Sequence, residues 1–380
     1  MPSSDSPEHS QSTRLAEIDK IPCRLVHPIP LGFVHFCAVQ AIHEILIERD
    51  VDPKFIFQKA GISTQFWENF DVVPLTVLGR LTALAADHTR CSHFGLLVGQ
   101  RATLASLGVI GALMRNSETV GDALRALVRH HGILNRGAVV EMLSGDHIVA
   151  VSYVPYEPDA EGAALHCERA LAALTKVLWS LCGSDWTPEA VLLPRLQPPD
   201  TTPYTGFFRA PVQFEQETAT LLLPSWLLTR SIEGAEPRVR TVVERRIRQI
   251  EDEYPPDLID EIRRRMRTAG IRMWTNAKQV ARQMEINRRT LSRRLKAEGT
   301  SFRLVASQLR LGIAKQLLAD TNMSLALISA ALEFSEPAAF THAFRRWTGT
   351  TPSAWRKERR PDHATPGPSA AWGGSGVADR

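Results

Sequence analysis

The sequence predicts a multidomain α+β protein, in which a mixed α/β N-terminal region is followed by an all-α domain with two helix-turn-helix units. Three observations carry this reading. Hydrophobic spacing passes from helical to strand-like and back again along the chain. A pattern of two short amphipathic helices around a tight break occurs twice near the C-terminus. Charge also divides unevenly: residues 271–360 hold 17 Lys and Arg against 6 Asp and Glu, while the rest hold 28 against 35. A polyanion is drawn to such a C-terminal quarter and repelled elsewhere. A solvated basic face with no partner would account for the charge by itself equally well.

The length of 380 residues allows two or three domains, each able to bury a core. Hydrophobic residues at 44% and charged residues at 23% are ordinary for a soluble globular chain. Cys23, Cys37, Cys91, Cys167 and Cys182 are scattered and form no CxxC pair, which argues for reduced thiols and against a zinc site. Residues 1–13 are Ser-rich without the apolar core of a signal peptide. No run reaches the roughly 18 apolar residues of a membrane span. The expectation is a cytoplasmic protein without a membrane partner, metal, cofactor or catalytic centre.

In chain order, residues 1–20 and 358–380 read as disordered tails, the latter rich in Pro and Gly. Residues 21–233 form the mixed region. Asp52-Pro53 is an N-cap with proline at the first helical position, closed by Gly61. Leu78, Leu81, Leu84, Ala85 and His88 share one helical face. Thr119 and Asp122 make a capping box for a helix over 120–129. Residues 138–143 and 147–153 are strands of a hairpin through Ser144-Gly145-Asp146. A helix spans 160–181, and 190–193, 212–214 and 220–223 are further strands. The alternating positions Val139, Glu141, Val149, Val151 and Tyr153 are candidates to line a pocket, although core packing is the commoner fate of such apolar residues. His130-His131 reads as a helix end, where imidazole suits the negative dipole terminus. Residues 234–270 are a charged helical linker. Its cluster Arg263-Arg264-Arg265 with Arg267 is either a solvated surface or a phosphate contact.

Residues 271–357 form the last domain. In 275–299, Val280, Ala281 and Met284 make one apolar face, a break falls at 285–287, and Leu291 and Leu295 make the next. The second helix turns Arg288, Arg289, Ser292, Arg293, Arg294 and Lys296 outward. Arginine in that position suits bidentate bonding to guanine and also phosphate contact. The pattern recurs in 324–347: Leu325, Ile328, Ala331 and Leu332, a turn over 333–336, then Phe340, Phe344 and Trp347. Thr341, His342, Arg345 and Arg346 point elsewhere, and Pro337 is acceptable in the first helical turn. Between the units, 301–319 is one amphipathic helix. About 18 helical residues span roughly 27 Å, so with flanking turns they set the two outward helices near one DNA turn apart, about 34 Å.

These residues resemble the DNA-binding domain of the AraC/XylS family of bacterial transcription regulators, most distinctively in RRTLSRRLKAEGTSF (288–302) and AAFTHAFRRWTGTTPSAWR (338–356). The family's closing element stands as Trp347-Thr348-Gly349 and Thr351-Pro352-Ser353. Upstream, Asp52-Pro53, Ala60-Gly61, His93-Phe94-Gly95, Leu107-Gly108, residues 119–127, 207–214 and 221–224 resemble a variant AraC-type effector-binding region. Ornithine-utilisation regulators share that region. The resemblance implies base-reading positions at Arg289, Ser292 and Arg293, then at Ala338, Ala339, Thr341 and His342, with Arg288, Lys296 and Arg345 alongside as DNA contacts. Glu285 and Glu333 stand where the family usually has the glycine of each turn. A residue at positive φ costs about 1 kcal/mol there. His342 replaces a usual arginine and Ala338-Ala339 offer no hydrogen bonds, so the first unit should supply most base discrimination. His342 can equally be an ordinary surface histidine.

The resemblance implies an effector-responsive activator of a metabolic operon. Its partners would be promoter DNA, a small-molecule effector of unknown identity and site, RNA polymerase and a second copy of the chain. An enzyme with a DNA-binding appendage is the competing class. Some relatives carry an alkyltransfer domain with zinc cysteines or an amidotransferase-like cysteine elbow. Here the cysteines lack ligand spacing, and Ser180 stands where the elbow before Cys182-Gly183 needs glycine. The twelve histidines contain no HExxH. A nonspecific architectural DNA binder, the third class, has no use for a large mixed α/β region.

Overall fold

Two clusters of apolar residues build the N-terminal half of the computed structural model, which describes residues 32–35, 37–62, 72–253, 258–268 and 276–359. In the first cluster, β1 (Phe33–His35) pairs antiparallel with β2 (Val72–Pro74) beside α1 (Cys37–Glu48), α2 (Pro53–Lys59) and α3 (Leu75–Thr89). Asp52 caps α2 by accepting the Lys54 N–H at 3.0 Å, Pro53 opens it, and Gly61 leaves it at φ 84°. Leu78, Leu81 and Ala85 of α3 are fully buried. Leu84 is half-buried and His88 exposed. His88 lies at the end of the helix, where its Nδ1 sits 2.9 Å from the Leu84 carbonyl, so the expected face is narrower by one residue.

The second cluster is organised by a five-stranded sheet. After α4 (Phe94–Gln100), α5 (Gly108–Arg115) and α6 (Val120–His130) come the hairpin strands β3 (Ala138–Ser144) and β4 (Ile148–Pro155). The long α7 (Ala163–Cys182) follows, then β5 (Ala190–Leu192), α8 (Thr202–Phe208), β6 (Val212–Gln213) and β7 (Ala219–Pro224). The sheet order is β3-β4-β7-β5-β6, antiparallel except at β5–β6. Thr119 caps α6 by accepting the Asp122 N–H at 3.1 Å, as the capping box requires.

Helix α7 is seated between the sheet and α4. Gly95 and Gly99, four apart, let α4 lie backbone-to-backbone on α7. A Cβ at either position would overlap a carbonyl oxygen, of Leu165 or of Arg169 respectively. This contact fixes where the middle of α7 presents its side chains.

The strand register corrects one expectation. Val140 lies opposite Tyr153 and Met142 opposite Val151, so these four share a face. Val139 and Glu141 lie opposite Val154 and Ser152 and belong to the other face. The candidate pocket positions on β3 were therefore out of phase by one residue, and a one-residue offset exchanges every side chain of a strand between faces.

The stretch expected as a linker is divided between two cores. Val243, Ile247 and Ile250 of α9 (Pro237–Glu253) are buried in the N-terminal cluster. Ile262 and Met266 of α10 (Leu258–Thr268) are buried in the C-terminal one. That second core gathers α11 (Ala277–Gln283), α12 (Arg288–Ala297), α13 (Phe302–Asp320), α14 (Leu325–Ala331), α15 (Pro337–Thr348) and α16 (Pro352–Arg359). The N-terminal tail expected over 1–20 lies outside the described residues, and only the first two residues of the tail expected at 358 fall inside them, in α16.

Candidate nucleic-acid interface

Each helix-turn-helix is closed by the same device. Asn276 caps α11 by accepting the Gln279 N–H at 3.0 Å. The helix ends with the Ile286 N–H bonded to the Ala281 carbonyl and the Glu285 N–H to that of Arg282, which leaves Glu285 at φ 56°. Asn287 then caps α12 through the Thr290 N–H at 2.8 Å. In the second unit Ser324 caps α14. The Phe334 N–H reaches the Ser329 carbonyl, the Glu333 N–H that of Ala330, and Glu333 sits at φ 56°. The paired bonds define a Schellman C-cap, whose left-handed position normally takes glycine. Both glutamates adopt the left-handed backbone that the resemblance implies at these turns. Val280, Ala281, Leu291 and Leu295 are buried between the first pair, and Ile328, Leu332, Phe340 and Phe344 between the second.

Burying those faces turns the polar ones outward. Arg288, Arg289, Ser292, Arg293, Arg294 and Lys296 are all exposed on α12. On α15, Ala338, His342, Arg345 and Arg346 are exposed, while Ala339 and Thr341 are half-buried. The Thr341 hydroxyl donates to the Pro337 carbonyl at 3.0 Å, so its oxygen and methyl group remain to meet a partner. None of the α12 cations, nor Arg345, has an acidic partner among the described residues. They are solvated charges whose counterions a polyphosphate can displace. The 19 residues of α13 join the units through about 28 Å of continuous helix. Arg265 is bound elsewhere, to Glu261 at 2.5 Å and to the Gln283 carbonyl, and Arg263 reaches Gln308. These two arginines of the linker cluster thus brace α10 within the protein.

The far side of α13 is the joint with the N-terminal half. Lys315 Nζ pairs with Asp159 Oδ2 at 3.0 Å, and Gln316 Nε2 donates to the Glu217 carbonyl at 3.0 Å. Just beyond, Asn322 donates its N–H (2.9 Å) and Nδ2 (3.1 Å) to the Glu215 carboxylate. Gly312 brings the helix backbone close to Pro158. The outward cations therefore stay exposed while the two halves are docked.

The N-terminal half contains a cavity of about 150 Å³ bounded by α1, β3, β4 and α7. Val151 and Tyr153 line it, as the strand pattern suggested, together with Val140 rather than Val139 or Glu141. Val149 is core. Arg169, His131, Tyr153 and Asn135 are polar residues of its wall. Burial holds His131 down to about 4, and His166 behind it also well below the ordinary imidazole value, so both rings are neutral at neutral pH. His131 was missed by a reading that took it for a simple helix end. His130 is the helix-end residue, 2.7 Å from Glu251. Arg169 was missed too: it stands directly after Glu168 at the head of the run ALAALTKVL, which also carries Lys176, so it reads as an ordinary helix-surface charge.

A mixed α/β region docked on a helical domain that bears two outward basic helices fits a DNA-binding transcription regulator of the AraC type. The comparisons with known proteins agree. Residues 51–232 match the family model of the N-terminal arabinose-binding domain of AraC transcription regulators, and residues 280–358 match a helix-turn-helix domain. The chain is homologous to the AraC/XylS helix-turn-helix regulators. It is 26% identical to the ornithine utilization regulator of Pseudomonas aeruginosa, over 86% of this chain and 98% of that protein. To the regulator VqsM of the same organism it is 28% identical, over 69% of this chain and 83% of that one. The solved structure of the transcriptional regulator CdpR from Pseudomonas aeruginosa aligns with 84% of this chain and 98% of its own, at 23% identity and a TM-score of 0.42.

Proposed function

We propose that the protein is an effector-responsive activator of a metabolic operon, acting as a homodimer at promoter DNA and contacting RNA polymerase. In this reading α12 and α15 enter successive major grooves. Arg289, Ser292 and Arg293 read bases, while Arg288, Lys296 and Arg345 hold phosphates. Ala338, Thr341 and His342 contribute methyl contact and shape. The N-terminal half binds its ligand and does not turn it over. The observation that carries the proposal is the joint: the cavity-bearing half rests on α13, the helix that sets the spacing of the two DNA-facing helices. A ligand that favours one docking arrangement over another shifts transcription by that difference in affinity.

Genome-wide mapping of bound sites, in cells given single candidate metabolites, tests it. The expected result is a small set of upstream sites whose transcription rises with one metabolite. Occupancy spread over bulk DNA, or unchanged output with every metabolite, would overturn the reading.

A further inference from the structure

The charges around α7 are provided for unequally. Glu168, fully buried, is matched by the Arg195 guanidinium and by the Tyr204 hydroxyl, which donates to Glu168 Oε1 at 2.8 Å. The next residue, Arg169, has no carboxylate partner among the described residues. Its near polar neighbour is His166, whose Nε2 lies 3.1 Å from Arg169 Nη2. The Tyr153 hydroxyl stands next in line, receiving Asn135 Nδ2 at 2.9 Å and meeting His166 Nε2 at 2.8 Å. Burial keeps both imidazoles neutral and raises the tyrosine, so nothing in this network offsets the guanidinium charge. Among the described residues the cavity wall contains no Asp or Glu, and its second cation, Arg101, is already paired with Glu48 at 2.6 Å. An uncompensated cation in a poorly solvated setting is costly.

Apart from Ser106, Asn135 and Ser152, the remaining wall is apolar, drawn from residues such as Val34, Ala38, Leu134, Val151 and Leu174. A cavity of about 150 Å³ lined in that way holds a molecule of benzene's size. A polyol would leave most of its hydroxyls unbonded against such walls. We propose that the cavity binds a small organic acid with an apolar body, its carboxylate held by the Arg169 guanidinium. The planar fork of arginine matches a carboxylate with two parallel hydrogen bonds. Tyr153 and His131 line the same cavity. The proposal rests on the effector-responsive reading and names the chemistry of that ligand. It also suggests a route outward: β4 carries Tyr153, and the loop leaving β4 carries Pro158 and Asp159, which meet α13.

The test is calorimetric titration and thermal unfolding of the full chain with hexanoate, benzoate and phenylacetate, against hexanamide, benzamide and L-arabinose. At least one acid should bind and raise the melting temperature, with its amide weaker by about ten- to a hundredfold, as expected for hydrogen bonds to a charged group. Arg169→Met should lose that preference. Without ligand it should melt no lower than the parent, because an apolar side chain relieves the unmatched charge. Ala38→Leu, which narrows the cavity and keeps Arg169, should weaken acid and amide alike. Equal binding of acid and amide, acid binding that survives Arg169→Met, a lowered melting point for ligand-free Arg169→Met, or no binding of any acid at millimolar concentration would each overturn the proposal. An acid that binds through Arg169 yet leaves promoter output unchanged would instead sink the effector-responsive reading and leave the site standing.

Discussion

Replacing Glu285 by glycine should stabilise the first helix-turn-helix. Glu285 sits at φ 56° and is exposed, with no acidic or basic partner among the described residues. The change therefore removes little besides backbone strain. A left-handed L-residue costs about 1–2 kcal/mol. Glycine returns about 0.5–1 kcal/mol through its greater freedom in the unfolded chain. The net gain is about 0.5–1 kcal/mol. Glu285→Ala is the control, since it removes the same charge but keeps a Cβ at the strained position. Amide hydrogen exchange across α11 and α12 reads the local opening free energy. Protection there should rise about two- to fivefold in the glycine variant and not in the alanine one, while both gain equally in DNA affinity from the lost negative charge. Equal exchange in the two variants, or faster exchange in the glycine variant, would refute the argument that the turn is strained. Glu333→Gly should gain less, because the Glu333 charge also acts favourably on Arg310.

Arg293→Ala should cost about 1–3 kcal/mol at the cognate site and relax specificity at one base pair, measured by competition binding at fixed salt; equal loss on all sequences would make it a phosphate contact. Lys315→Ala and Asp159→Ala should each blunt the response to ligand while leaving DNA affinity within about twofold, since surface pairs contribute about 0–1 kcal/mol, as read by promoter assays and electrophoretic titration. Gly95→Ala should lower the melting temperature of the full chain, because the added Cβ meets a backbone oxygen that cannot swing aside; an unchanged melting curve would contradict the close helix contact. Stability should also fall with acid. The unfolded chain takes up a proton on His131 near pH 6.5, whereas the folded chain does so near 4. Between those values the unfolded state binds more protons, so up to about 3 kcal/mol present at neutral pH is lost as the pH drops. Urea unfolding in that window should show His131→Gln to be the less pH-sensitive chain.

The DNA-facing half was legible because its signals are local. Helical spacing placed Val280, Leu291, Leu295, Ile328, Phe340 and Phe344 inside, and their exclusion from water leaves the arginines of α12 nowhere but outside. The caps at Asp52 and Thr119 were legible for the same reason, being contacts within three residues. The sensing half resisted. Val139 and Val140 are both hydrophobic, and only pairing with β4, set by a tertiary register, decides which faces the cavity. Arg169 looks like any snorkelling cation until the sheet and α1 close around it. The joint was hidden altogether, since Asp159 and Lys315 are 156 residues apart and individually ordinary.

Hydroxyl-radical footprinting of the full chain on a regulated promoter bears most directly on the double reading head. Two protected windows about 10 base pairs apart on one face of the duplex are the expected result, with the window assigned to α12 lost on Arg289→Ala/Arg293→Ala. Protection confined to half a turn, or both windows vanishing together with no sequence preference left, would contradict two helices held in successive major grooves by α13.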